Sequence, residues 1–121
     1  MIRSIKKKIT AKLREITPVV FSEKADDNAL HPYIVFSFPS APYREGLHSG
    51  FLDVDVWDRG DSSAVVDEIS DRVMKDLDCY HFITEDAEAT LYLSNVMTVE
   101  SDDKTLRRKT VIFEIHFRRI N

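Results

Sequence analysis

The stretch FLDVDVWD, residues 51 to 58, decides the fold class because aliphatic side chains alternate along it with other types. This period of two predicts a β-strand with Leu52, Val54 and Val56 on one apolar face. The opposite face is mixed in character, since successive side chains of a strand point to opposite sides. It carries Phe51, Asp53, Asp55 and Trp57.

Four other stretches are rich in aromatic and β-branched residues and predict further strands. They are Val19 to Ser22, Tyr33 to Phe38, Thr90 to Val99 and Leu106 to Ile120. Glu100 to Thr105 is predicted to form the hairpin loop between the last two. In the last strand, Ile112 falls on the face opposite to the apolar row that begins at Val111.

Apolar residues at spacings of three and four predict two helices. The first extends from Ile2 to Ile16, and Pro18 ends it by disfavouring helical geometry at Thr17. We expect its isoleucines to pack on the sheet and its lysines to face solvent. The second helix ends near Asp78, and its predicted inward stripe is Val65, Val66, Ile69, Val73 and Leu77.

The element order is therefore helix, three strands, helix, two strands, within a single predicted domain of residues 1–121. This α-β-β-β-α-β-β order predicts an α+β fold with a mainly antiparallel sheet and both helices on one face. The strand-helix-strand passage in the middle is the only place where a crossover is expected.

Composition excludes several classes of protein. Cys79 is the only cysteine, so no internal disulfide can form, and we expect a buried structural thiol. No apolar run is long enough for a membrane span or a signal peptide, which predicts a cytoplasmic protein without membrane contact.

Charge is distributed unevenly along the chain. Six basic residues against Glu15 give the first sixteen residues a net charge of +5, which leaves −9 on the remainder. An acidic body argues against a dedicated nucleic-acid reader, because such a domain presents a basic face to phosphates. The basic first helix remains an alternative nucleic-acid or membrane contact.

No motif nominates a catalytic or metal site. Four carboxylates lie close together at Asp53, Asp55, Asp58 and Asp61, but their spacing lacks the central glycine and closing glutamate of a calcium loop. We interpret them as solvated strand and turn residues.

The histidines do not point to chemistry either. Three are predicted to lie in loops, at positions 31, 48 and 81, whereas His116 is expected to share a polar strand face with Glu114 and Arg118. No nucleophile is paired with a base, so we expect no enzyme, no catalytic residue and no cofactor.

The features that remain point to contact surfaces. Pro39 to Gly50 is predicted to be a long exposed loop, and Glu23 to His31 a second one, both suited to reaching a partner. Together with the mixed strand faces, these loops give the predicted subunit or partner contacts. They are Tyr43, Arg44, Leu47, Phe51, Asp53, Asp55, Trp57 and Ile112.

The run HPYIVF at residues 31–36, an irregular loop, the strand FLDVDVWD and a helix beginning near Ala64 together resemble the tail-terminator family of long-tailed phages. This family is also called tail-completion or tail-to-head joining proteins. The similarity in element order extends from the basic first helix to the closing hairpin.

The resemblance implies a virion structural protein of a phage or prophage, assembled in the host cytoplasm and located at the tail or neck. Members form a ring, typically a hexamer, that caps the tail tube, ends tube growth and provides the head-joining surface. The implied partners are further copies of the chain, the tail-tube protein and a head-completion or neck protein. DNA would pass through the ring without specific binding, and an acidic lumen would help it slide.

Two other functions are compatible with the sequence. A head-completion or neck adaptor would also form rings, although the high strand content counts against that class. A small nucleic-acid-binding module would use the basic first helix and would lose affinity steeply with salt.

Overall fold

The structure is a computed structural model that describes residues 1–38, 43–44 and 47–120, without the side chains of 43, 44 and 47. Two helices and seven strands follow one another along this part of the chain. In order they are α1 (Ile2–Arg14), β1 (Val20–Ser22), β2 (Tyr33–Ser37), β3 (Tyr43–Arg44), β4 (Leu47–Arg59), α2 (Ala64–Leu77), β5 (His81–Ile83), β6 (Ala87–Val99) and β7 (Leu106–Arg119).

The strands form one sheet in the order β1-β2-β4-β7-β6-β5, and β3 pairs with the start of β4. All neighbouring pairs are antiparallel except β1 and β2. Both helices contribute to the one core on one face of this sheet, which confirms the predicted α+β fold.

The core follows the predicted periodicities. Leu52, Val54 and Val56 of β4 are fully buried, and so are Ile5 and Ile9 of α1. Full burial of each such side chain contributes about 1.5–3 kcal/mol to folding. The apolar stripe of α1 therefore packs on the sheet, as predicted, rather than remaining free for another surface.

The predicted crossover is present, because α2 lies between β4 and β6, two strands that run parallel on either side of β7. It is not the only parallel connection, since β1 and β2 also pair in parallel at the sheet edge. The segment 23–32 brings the chain back along the edge without a helix, and because β1 has only three residues the distance to return is short. Its first residue is tied down, because the Glu23 N–H donates to the Phe36 carbonyl at 2.8 Å.

The predicted loop Pro39 to Gly50 is wrong at its C-terminal end. Strand β4 begins at Leu47, and residues 47–50 continue the register with β7 as far as the pair Leu47 and Arg118. Pairing with the long β7 strand supplies backbone hydrogen bonds that outweigh the weak strand preference of Ser49 and Gly50. Residues 39–42 and 45–46 of the predicted loop lie outside the described residues.

Short elements escaped the sequence patterns. Strands β3 and β5 were not predicted, since two or three residues carry no detectable period. His48 and His81 consequently lie in strands β4 and β5, not in loops.

Two predicted core positions are exposed. Val65 lies one residue before the buried stripe of α2, about 100° around the helix from Val66. Cys79 is solvent-exposed, so the predicted buried thiol is wrong. It follows the C-cap of α2 with a φ of 60°, and its Sγ lies 3.7 Å from Asp78 Oδ1.

Neither of the two described helices is long and apolar enough to cross a membrane.

Candidate functional site

The sheet face opposite the helices is the main candidate for a functional surface, and we call it the open face. The strand register places on it alternate residues of four neighbouring strands, β2, β4, β7 and β6. Its central members are Tyr33, Val35, Phe51, Asp53, Asp55, Trp57, Arg108, Thr110, Ile112, Glu114, His116, Tyr92 and Met97.

One end of the open face carries a row of aromatic rings. Tyr33 and Trp57 are stacked, with ring centroids 6.1 Å apart, and Phe21 meets Tyr33 edge-on at 5.9 Å. His31 lies 5.0 Å from Tyr33 on the same side. Aromatic pairs at these distances contribute about 0.5–1.5 kcal/mol each beyond burial, so the row is a rigid platform.

Arg108 links this platform to the acidic residues of β4. Its guanidinium lies 4.7 Å from the centre of the Trp57 ring, and its Nη2 donates to Asp55 Oδ1 at 3.1 Å. Thr110 Oγ1 also donates to Asp55 Oδ1. Asp55 is therefore occupied within its own chain, which gives it a positioning role on the open face.

Asp53 differs from Asp55 although both lie on the same face. Burial raises the pKa of the Asp53 carboxyl, and the neighbouring charge of Asp55 raises it further. The partial burial of Asp53 beside a second carboxylate is unfavourable unless a cation or hydrogen-bond donor approaches from outside.

The other end of the open face exposes large apolar side chains. Phe51, Tyr92 and Ile83 are 46%, 45% and 55% exposed, whereas Met97, which is 44% exposed, lies in the row of Asp55 and Thr110 next to the Trp57 row. Phe51 and Tyr92 flank Glu114 in one row across β4, β7 and β6. Apolar side chains among polar neighbours are typical anchors of protein interfaces, so this end is the most suited to bind a partner.

His116 stiffens the same row. Its ring meets Tyr92 edge-on at 5.5 Å, and its Nε2 lies 2.8 Å from Glu114 Oε1. Arg118 pairs across the strands with Glu88 at 2.7 Å. The predicted polar face of His116, Glu114 and Arg118 is therefore confirmed as a set of strand-face pairs.

The predicted contact residues are partly brought together. Phe51, Asp53, Asp55, Trp57 and Ile112 all lie on the open face, where Asp53 is the register partner of Ile112. Of these five, only Phe51 is strongly exposed. The backbone of Tyr43 and Arg44 pairs with the start of β4 beside Leu47, while the side chains of these three residues lie outside the described set.

Three exposed apolar residues escaped prediction. Ile83 lies in the unpredicted strand β5. A bulge between Leu93 and Asn95 changes the alternation of β6, so that Tyr92 before it and Met97 after it share the open face. The irregular apolar sequence LYL at residues 91–93 was the available signal.

The four carboxylates considered for a metal site do not converge. Asp58 lies on the opposite face of β4 from Asp53 and Asp55, because its position has the other parity. Among the described residues, no group of three or more histidine, cysteine or acidic side chains is arranged to hold a metal ion.

A groove of about 420 Å³ lies between the start of α2 and the β6–β7 hairpin. Its lining mixes both charges, and Lys109 Nζ in it is paired with Asp67 Oδ1 at 3.2 Å. Because this ion pair joins the helix to the hairpin, we interpret the groove as a gap in the packing of these two elements and not as a binding site.

No model of a known protein family matches the sequence, and no curated protein matches it. Solved structures do resemble the fold. One is a chain from the virion of a native gene transfer agent particle, with a TM-score of 0.67 at 11% identity over 88% of this chain and 84% of that chain. This protein shares the fold of that virion chain.

A second solved structure has the same fold, with a TM-score of 0.67 at 13% identity. The match covers 98% of this chain and 92% of that chain. The fold therefore extends over nearly the whole sequence in both comparisons.

Proposed function

We propose that the protein is a structural component of a phage-like virion and acts as a tail terminator. In this role, copies form a ring on the last ring of the tail tube, end tube growth and provide the surface for head attachment. The observation that carries the proposal is the shared fold with a chain of the gene transfer agent virion. The sequence resemblance described above supports the terminator role independently.

The open face fits such a role. Its stacked aromatic row and its exposed end give each subunit an apolar patch on the sheet. A ring needs two different patches on each copy, because head-to-tail contacts close only when one patch meets the other. We assign the exposed end, with Phe51 and Tyr92, to a contact with a neighbouring copy or with the tail tube.

The proposed partners are further copies in a hexamer, the tail-tube protein and a neck protein on the head side. DNA passes through the ring without being bound, since the acidic body repels phosphates. The role is structural and involves no catalysis or cofactor.

The double variant Phe51→Ala with Tyr92→Ala tests the proposal. It should abolish ring formation, alone or on purified tail-tube protein, when mass is measured by light scattering. Both side chains are about half exposed and Tyr92 meets the His116 ring, so each substitution should lower the free energy of unfolding by roughly 0.5–1.5 kcal/mol, and thermal denaturation checks that the variant folds.

Leu30→Ala with Val65→Ala is the matched control, because it removes two exposed apolar side chains that lie outside the row of Phe51, Glu114 and Tyr92. Rings that form equally well with both double variants would rule out the open face as the contact. A wild-type protein that stays monomeric with tube protein present would contradict the terminator role itself.

One observation favours a second candidate, a nucleic-acid-binding module. Arg3, Lys7, Lys8 and Arg14 on α1 are exposed, and no ion pair to them is found among the described residues. Such a module would bind duplex DNA with an affinity that falls steeply as salt rises. The neck-adaptor alternative would instead bind the head-side protein in preference to tube protein.

A further inference from the structure

Helix α1 carries a shallow groove along its exposed side, beside Ser22 of β1. Its basic residues are Arg3, Lys6, Lys7 and Arg14, and the small residues Thr10 and Ala11 form its middle. The groove has a volume of about 310 Å³. We call this surface the basic groove.

Three of the four cations that line the basic groove are uncompensated in the described part of the chain. The fourth, Lys6, pairs with Glu23 at 3.1 Å, and Lys12 outside the groove pairs with Glu15 at 3.5 Å. No carboxylate among the described residues pairs with Arg3, Lys7 or Arg14. The groove is therefore prepared for an acidic partner.

The loop between β6 and β7, residues 100–105, carries three acidic residues against Lys104. Asp103 fixes its shape, because its carboxylate accepts hydrogen bonds from Arg59 Nη1 at 2.7 Å and from the Thr105 N–H at 3.0 Å. These bonds lower the pKa of Asp103, with the Arg59 contact as the largest cause. We call this loop the acidic tip.

Two carboxylates of the acidic tip are available for a contact with another molecule. Glu100 and Asp102 are exposed, and no hydrogen bond or ion pair involves their side chains in the described structure. An ordered loop loses little conformational entropy on binding, so its free carboxylates form an effective contact.

We infer that the acidic tip of one copy docks in the basic groove of the next copy. The inference rests on the proposed ring and supplies the two different patches that head-to-tail closure requires. Opposite charges on one chain also set the direction of addition, since tip against tip and groove against groove would repel.

The contact is between copies rather than within one. The start of α1 is held at the beginning of β6, where the Met1 ammonium lies 2.8 Å from Asp86. The acidic tip follows the other end of β6. The thirteen residues of β6 span roughly 40 Å at about 3.3 Å each. The tip therefore cannot reach the Arg3 end of its own groove.

A second copy also fits the groove better than a nucleic acid does. The chain outside the first sixteen residues carries a charge of −9, which repels a phosphate backbone that approaches the subunit. A narrow protein loop brings its carboxylates to the groove without a long anionic flank.

Zero-length carbodiimide cross-linking of the full-length protein, followed by peptide mass spectrometry, tests the contact directly. The reagent joins a carboxylate to an amine in direct contact, so Lys7 should be linked to Glu100 or Asp102. Mixing ¹⁴N- and ¹⁵N-labelled protein distinguishes links between copies from links within one copy.

Charge reversal provides the second measurement, by sedimentation over a protein concentration series. Glu100→Lys with Asp102→Lys should raise the dissociation constant at least tenfold, and Lys7→Glu with Arg14→Glu should do the same. The chain carrying all four substitutions should recover association, because the exchanged charges attract again. Asp26→Lys with Asp27→Lys changes the net charge equally on another exposed loop and should have little effect.

The outcomes separate the contact from the proposed function. Rings that form normally with either reversed pair would overturn the inference and leave the terminator role intact. A wild-type chain that never self-associates, even on tube protein, would overturn both. Salt-sensitive binding of duplex DNA that is lost with Lys7→Glu and Arg14→Glu, without any cross-link between copies, would assign the groove to nucleic acid.

Discussion

Asp55 and Asp53 show how two identical side chains on one strand face come to differ. Asp55 accepts hydrogen bonds from Arg108 and Thr110, whereas burial and its neighbour raise the pKa of Asp53. The difference arises from β7, because Thr110 is the register partner of Asp55 while Ile112 is the partner of Asp53. The polar partner stabilises one carboxylate, and the apolar partner leaves the other unsatisfied.

Asp55→Ala should therefore lower the free energy of unfolding by about 1–3 kcal/mol, since Thr110 and Arg108 lose a buried acceptor. Asp53→Asn is the matched control and should leave stability unchanged or higher, because the ionised carboxylate is disfavoured in the folded state. Urea denaturation at neutral pH measures both. Equal losses for the two variants would contradict the assignment.

The sequence could not distinguish these two residues, because alternation assigns a face but not a register partner. The same limit applies to Cys79 and Val65, whose exposure depends on where α2 begins and ends. A shift of one position changes the environment of a helical residue completely.

At the scale of elements, α1 is anchored at its first turn. Ser4 Oγ lies 2.9 Å from Thr84 Oγ1 and donates to Asp86 Oδ1 at 2.6 Å. The pKa of Asp86 is lowered to about 2, first by the hydrogen bond from the Met1 ammonium and then by that from Ser4. This anchor joins the helix to the turn between β5 and β6.

The lowered pKa predicts an acid-sensitive contribution to stability. A carboxyl with a depressed folded-state pKa stabilises the fold above its ordinary value of 3.8, and this stabilisation is lost as the pH falls through about 2. Asp86→Asn should therefore show a shallower loss of stability between pH 4 and pH 2 than the wild type, in denaturation at each pH. Parallel curves would show that the anchor does not titrate.

Long elements were predictable, and short ones were not. Strands β4, β6 and β7 and both helices offered enough residues for a period to emerge. Strand β5 has only three residues and exists because the edge of β6 supplies its hydrogen bonds. The parallel pairing of β1 with β2 likewise depends on the route of segment 23–32, which no local pattern encodes.

At the scale of the whole molecule, the asymmetry between the two sheet faces explains why the surface was partly predictable. Phe51 and Trp57 were assigned to the open face by alternation alone. The exposed patch at its other end depends on the β6 bulge and on β5, both of which are tertiary features. The basic stripe of α1 was visible in the sequence, but its relation to the acidic tip required the fold.

The order of the strands also has a consequence for the timing of folding during synthesis. Strand β7 lies between β4 and β6 and pairs with both, yet it follows every other described element in the sequence. When the ribosome has translated the acidic tip, β4 and β6 have been synthesised, but β7, which pairs with both, has not. Because the pairing of β4 with β7 closes a large loop, the sheet can be completed only after residues 106–119 have left the ribosome. Folding of the sheet is therefore delayed until β7 has been translated, and subunits become competent to assemble only after that point.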